Sequence, residues 1–200
     1  MRFLPLLVAA LAAAPASDNA WLGLELGSGA AAFAWHDEDS QGRRQDLAGA
    51  FTSVYSGSLL IGGGDFGDAG LGGRIGLGLR LRQLSSQDLQ LTEAGWFVRF
   101  AGAWEPFPWS ELDVAIDVGS GVMGASLSGM GGERSHNGQY GQAAARAELL
   151  FGPRRHRVGA FIAGEITGGG READDCGCDR SAFSYSTAGW SCGFVARIVP

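Results

Sequence analysis

Between Leu71 and Leu84 the chain alternates with a period of two. Ile75, Leu77, Leu79 and Leu81 fall on one side, and Arg74, Gly76, Gly78, Arg80 and Arg82 on the other. That period belongs to an extended strand with two unlike faces, not to a helix, whose neighbours recur at three and four. The same pattern returns along the chain. Leu22, Leu24 and Leu26 oppose Gly23, Glu25 and Gly27, and Trp96, Val98, Phe100 and Trp104 oppose Phe97, Arg99, Ala101 and Ala103. Leu112, Val114, Ile116 and Val118 oppose Asp113, Ala115 and Asp117; Trp190, Phe194 and Ile198 oppose Ser191, Gly193, Val195 and Arg197. Composition agrees: 34 of 200 residues are Gly, against a usual share of about 7%. Gly is poor in helix interiors, and here it is interleaved with Leu, Val, Ile and aromatics. No Gly-x-y period is present, so a collagen-like chain is excluded.

The runs Trp21–Trp35, Leu71–Leu84, Trp96–Trp104, Leu112–Val118 and Trp190–Ile198 are clear, while Leu47–Ile61 and Val158–Ile166 are weaker. Gln139–Phe151 has helical propensity over its Ala-rich part. As a strand it places Ala145, Ala147, Leu149 and Phe151 on one face, Arg146 and Glu148 on the other, and restores an even count. The expectation is an all-β, eight-stranded antiparallel up-and-down barrel. Polar stretches follow the odd strands (His36–Asp46, Ser85–Gln90, Ser128–Gly138 and Gly168–Ala182), and tighter Gly- or Pro-containing turns follow the even ones (Gly62–Gly70, Glu105–Glu111 and Gly152–Arg157). Short turns at one rim and longer loops at the other are the layout of membrane barrels. A soluble sandwich does not favour that alternation.

The N-terminus reads as an export signal spanning 1–16, leaving 17–200 as the barrel domain. Met1 and Arg2 give a positive start, Phe3–Ala13 an apolar core too short to span a bilayer, and Ala14-Pro15-Ala16 a small-x-small cleavage site before Ser17. No later segment approaches 18 uninterrupted apolar residues, so a membrane position requires a closed barrel, in which every backbone group is paired. The formal charge of −6 argues against a nucleic-acid partner. The cations are all Arg, and Cys176, Cys178 and Cys192 are too few for a framework of staples.

Alternation alone does not tell which face is inside. A soluble barrel is apolar within; a membrane barrel is the reverse. The polar face is rich in Gly and Ala, which suits the narrow lumen of an eight-stranded barrel and would weaken a solvent face. Trp21, Trp35, Trp96, Trp104, Trp109 and Trp190, with Phe51, Phe107 and Phe151, lie towards strand ends like interfacial girdles. The inward set then holds Glu25, Arg74, Arg80, Arg82, Arg99, Asp113, Asp117, Arg146, Glu148, Glu165 and Arg197. Charges removed from bulk water need partners, and six Arg face five carboxylates. A charge-paired plug is favoured over a gated pore, because an eight-stranded interior is only just wide enough for its own side chains.

With these residues in view, the chain resembles the small eight-stranded outer-membrane proteins of Gram-negative bacteria, the OmpA transmembrane domain and OmpX-like group. The final strand, Ser191-Cys192-Gly193-Phe194-Val195-Ala196-Arg197-Ile198, fits the polar-x-Gly-x-x-apolar-x-apolar signal of such barrels, although Val199-Pro200 replaces a terminal aromatic. The resemblance implies export to the outer membrane, contact with lipid, lipopolysaccharide and the assembly machinery, a monomeric state, and a structural, surface-interaction or adhesion role without enzymatic activity.

Two rival classes remain. A lipid-modifying enzyme of the lipid A acyl hydrolase type would need a Ser, a His and a carboxylate converging at the outer rim. Ser128, Ser135 and His136 are candidates, but a solvated loop His accounts for them, and no catalytic residue is assigned. A soluble periplasmic barrel that binds an apolar ligand would put the Leu and Ile face inside. No cofactor or metal is assigned. Asp174-Asp175-Cys176-Gly177-Cys178-Asp179 and His36-Asp37-Glu38-Asp39 match neither an EF-hand nor a zinc ribbon and read as acidic loops. Gly62-Gly63-Gly64-Asp65 and Gly72-Gly73 lack the Lys and helix of a phosphate loop and read as turns.

Overall fold

The computed structural model describes residues 20–38, 44–67, 70–129, 132–171 and 182–199. The expected signal segment and the Cys176/Cys178 stretch lie outside them. Eight strands run β1 (Ala20–Glu38), β2 (Arg44–Phe66), β3 (Leu71–Ser85), β4 (Leu89–Phe107), β5 (Ser110–Gly129), β6 (Gly132–Phe151), β7 (His156–Arg171) and β8 (Ala182–Ile198). Each pairs antiparallel with its neighbours in sequence, and β8 returns to β1 from Leu22↔Ile198 to Glu38↔Ala182, closing the barrel. Closure leaves no sheet edge along the apolar belt, as lipid requires. Two turns depend on glycine conformation: Gly70 (φ 71°) before β3 and Gly152 (φ 122°) before β7 lie where other residues are strained.

The strands are longer than the alternation suggests. Much of the polar sequence expected in loops is strand: β1 reaches Glu38, β5 reaches Gly129, and β6 begins at Gly132, so the described residues within Ser128–Gly138 are paired strand rather than loop. At the rim carrying the termini, β2 extends to Phe66, β4 continues to Phe107 and β5 begins at Ser110, which draws Glu105 and Glu111 out of the expected turn and into the wall. The weak alternation of Leu47–Ile61 has a local cause. Gly29 faces Val54 whereas Ala31 faces Phe51, a one-residue register shift. This bulge turns both odd-numbered Phe51 and even-numbered Val54 inward, so no single parity describes β2.

Outside, an apolar belt circles the barrel. Leu71, Ile75, Leu77, Leu79 and Leu81 of β3 and Val114, Ile116, Val118 and Val122 of β5 all face outward. Trp104 sits opposite Leu71 and Trp96 opposite Leu79, bracketing the belt with outward-facing rings. Trp109, Phe107 and Phe151 stack into one patch at the terminal rim, with centroids 5.3 and 6.1 Å apart. Ten residue steps from Leu71 to Leu81, at about 3.3 Å each and tilted about 40°, rise about 25 Å, the height of an outer-membrane apolar band. Three of the expected girdle residues do not belong to it. Trp21, Trp35 and Phe51 point inward and are buried, the two Trp because they share the parity of Glu25 on β1 and Phe51 because of the bulge.

Beyond the belt, at the distal rim, the faces exchange character. Along β4, Leu89 and Leu91 point inward while Gln90 and Thr92 face out; further down the same strand, Arg99 points inward while Trp96 and Phe100 face out. β5 does the same, with Met123, Ala125 and Leu127 inside above Asp113 and Asp117. The distal lumen is therefore an apolar core of Trp35, Phe51, Val54, Leu84, Leu89, Leu91, Met123, Leu127 and Phe183, with Trp35 stacked on Phe183 at 4.9 Å. Apolar-in, polar-out is the order of a soluble barrel; polar-in, apolar-out is that of a membrane barrel. One set of strands contains both.

Candidate functional site

Within the belt the lumen is filled by ionised side chains in three tiers. The middle tier centres on Arg99. Its Nε donates to Asp117 at 2.7 Å and its Nη1 to Glu148 at 2.8 Å, and it also bonds Glu25. Arg80 reaches Asp117 at 2.9 Å, and Arg146 reaches Glu25 at 3.0 Å. Aromatic faces complete the tier: Arg80 lies 4.5 Å from the Phe97 ring centre, and Arg146 4.3 Å from that of Phe161. Two guanidinium planes on apolar rings combine cation–π attraction with packing, which ordered ion pairs alone do not provide.

The terminal tier centres on Glu111, which bonds Arg74, Arg157 and Arg197 together. Arg197 also donates to Asp113 at 2.8 Å and to Glu148 at 2.9 Å, tying this tier to the middle one. Arg157 continues outward to Glu105 at 2.7 Å, and Glu105 receives the rim residue Arg154 at 2.5 Å. The upper tier joins charge to the apolar core. Arg82 donates to Glu93 at 2.8 Å and lies 3.2 Å from Glu165. Glu93 also accepts from Tyr185 at 2.9 Å and Thr167 at 3.1 Å, and Ser191 donates to Glu165 at 2.8 Å.

The structure brings the eleven charged residues singled out from the sequence into this one network. Ten are buried, and the side chain of Arg74, at the terminal mouth, is 9% exposed. Four members were absent from that set: Glu93, Glu105, Glu111 and Arg157. Glu105, Glu111 and Arg157 came from stretches read as turns, and Glu93 from the part of β4 where the two faces exchange polarity. Among the described residues the belt lumen thus holds seven Arg and eight carboxylates, Glu105 included, rather than six and five. Arg154, at the rim, meets the eighth carboxylate. Matched charge does not by itself make such a network stabilising, since desolvation offsets much of the attraction. It does make each member costly to remove.

This lumen is a plug in two parts, an ionic one within the belt and an apolar one above it. Among the described residues, each charged side chain of the belt lumen has at least one oppositely charged partner. Gly78 shows how tightly it is filled: a Cβ there would meet the Phe97 ring at 2.3 Å.

The Ser–His candidates do not converge. Ser135 and His136 are neighbours on β6 and face opposite ways. His136 is not a solvated loop residue: its side chain is 8% exposed, packs against Trp35 and Phe183 at 5.4 and 5.1 Å, and lies 3.5 Å from buried Asp37. In the acidic stretch, His36 instead contacts Asp46 and Glu38 pairs with Arg44, while Asp39, Asp174, Asp175 and Asp179 fall outside the described residues. Among the described residues no cluster offers three metal ligands.

No family model matches the chain, and no curated protein is significantly similar to it. Solved structures are similar in shape. The outer-membrane protease OmpT of Escherichia coli aligns over 89% of this chain and 96% of its own, with a TM-score of 0.52 and 8% identity. Ail, the attachment invasion locus protein of Yersinia pestis, covers 86% and 97% with a TM-score of 0.33 and 13% identity. Neisserial surface protein A covers 88% and 97%, with a TM-score of 0.41 and 8% identity. The likeness to OmpT is one of fold alone: the chain has the architecture of a transmembrane outer-membrane β-barrel.

Proposed function

We propose that the chain is a monomeric, non-conducting barrel of the bacterial outer membrane that carries a rigid projecting end for surface interaction or adhesion. The observation that carries this reading is the exchange of polarity along single strands. A strand that is apolar outside over about 25 Å and polar outside beyond it suits a chain standing partly in lipid and partly in water. The plugged lumen speaks for anchoring rather than transport, and the fold shared with an outer-membrane protein supports the location. The strand count and the last strand support kinship with the OmpA and OmpX-like group. Lipid, lipopolysaccharide and the assembly machinery are then its partners, and the termini lie on the periplasmic side.

Expression with the N-terminal segment, urea washing of outer membranes and electrophoresis of boiled and unboiled samples tests the anchoring. Retention in the membrane with faster migration before boiling is the expected result; release into the soluble periplasm would overturn it. Orientation is read with Asn137→Cys in a background whose native Cys are Ser. An impermeant maleimide labels it on intact cells if the distal rim faces outward. In planar bilayers the protein gives no discrete conductance steps.

A further inference from the structure

On the outer face of the distal rim, three side chains stand in one row across three strands. His36 of β1 is directly opposite Asp46 of β2 on one side and Ser184 of β8 on the other. Directly opposed residues on one face of an antiparallel sheet have Cβ atoms about 4.5–5.5 Å apart. His36 Nδ1 lies 2.8 Å from Asp46 Oδ1. A carboxylate can only accept, so in the neutral ring this contact puts the proton on Nδ1 and leaves Nε2 as the acceptor. All three residues line one cleft of about 470 Å³, which Arg44 and Arg171 also line. His36 and Asp46 are 63% and 72% exposed, open to an incoming molecule.

We propose that Ser184, His36 and Asp46 form a hydrolytic triad acting on carboxylic esters. Such triads are recognised by geometry and roles, not by order along the chain. Ser184 Oγ attacks the ester carbonyl while His36 Nε2 takes the hydroxyl proton. Collapse of the tetrahedral adduct breaks the ester C–O bond, and His36 returns the proton to the departing alcohol. Water, deprotonated by His36, then cleaves the acyl-Ser184 ester, releasing the acid and restoring the hydroxyl. Asp46 is a positioning residue that holds the His36 tautomer.

Height selects the substrate class. His36 lies four residue steps beyond Ala32, whose partner Ala188 faces the outward Ile166 of β7, so it stands about 10 Å above that part of the belt along the membrane normal. Acyl chains buried in the bilayer do not reach it. The substrate is a short acyl ester carried on the water side, such as the O-acyl group of a saccharide.

The test uses the full mature chain folded in detergent micelles, with a fluorophosphonate probe, p-nitrophenyl acetate and micellar phospholipid. The expected result is probe attached to Ser184 by peptide mass spectrometry and acetate ester turnover. Ser184→Ala and His36→Ala should each lower that turnover at least about 100-fold, in line with the large losses seen when a triad member is removed. Asp46→Asn should lower kcat at least about tenfold with KM little changed, and Asp46→Glu should recover part of it. All three positions are exposed, so heat-dependent gel migration stays unchanged and tests the barrel independently of turnover. Absence of probe at Ser184, or labelling that persists in His36→Ala, would overturn the triad. Ser184-dependent cleavage of phospholipid would overturn the water-side substrate.

Discussion

The belt half and the distal half of the barrel are built from the same eight strands, yet they solve opposite problems. In the belt, the surroundings supply no water, so bulky apolar side chains face out and the charges are gathered inward around Arg99 and Glu111. Above it, water surrounds the wall, and Trp35, Leu89, Leu91 and Leu127 retreat inside. Burial alone therefore says little about which residue type belongs inside a barrel wall. The medium outside decides, and the strands cross from one medium to the other within a few residues.

That contrast yields tests of falling magnitude. Arg99→Ala leaves Glu25, Asp117 and Glu148 without their shared cation. Breaking a buried pair in this way costs about 3–5 kcal/mol, so the urea midpoint of the folded band should fall sharply, if folding survives at all. Trp35→Ala opens the distal core, at a cost of about 3–5 kcal/mol. Proteolysis should detect it as cleavage in the β1–β2 hairpin while the belt half keeps its heat-dependent migration. Loss of both halves together would show that they are one cooperative unit. Ile116→Arg, on the lipid face, should cost about 2–4 kcal/mol near the bilayer midplane. Ser126→Arg, on the same face of the same strand but above the belt, should change stability by less than about 0.5 kcal/mol. Equal effects would erase the distinction between the two media.

Much of this was legible in the sequence, for an identifiable reason. Side-chain parity is fixed by the pleat, so wherever one face was charged and the other bulky, as in β3 and β5, faces and lumen residues could be read directly. The parts that escaped had their signal cancelled. In β2 the bulge changes parity midway. In β4, Leu91 and Glu93 share the inner face, so hydropathy averages out where the medium changes. Glu105, Glu111 and Arg157 lay beside Pro or Gly and looked like turns. The row of Asp46, His36 and Ser184 leaves no linear motif at all, because only the pairing of β2, β1 and β8 assembles it.

The exchange of polarity acts as a waterline. Since neighbouring strands change character at similar heights, they mark a plane and not merely a point. A slide of two residues along the strands displaces the barrel about 5 Å. It would submerge Gln90 and Thr92 or lift a ring of leucines into water, so draught and list are both held. Whatever the far rim carries is thereby kept at a constant distance from the lipid, as a tool is by a fixed stand.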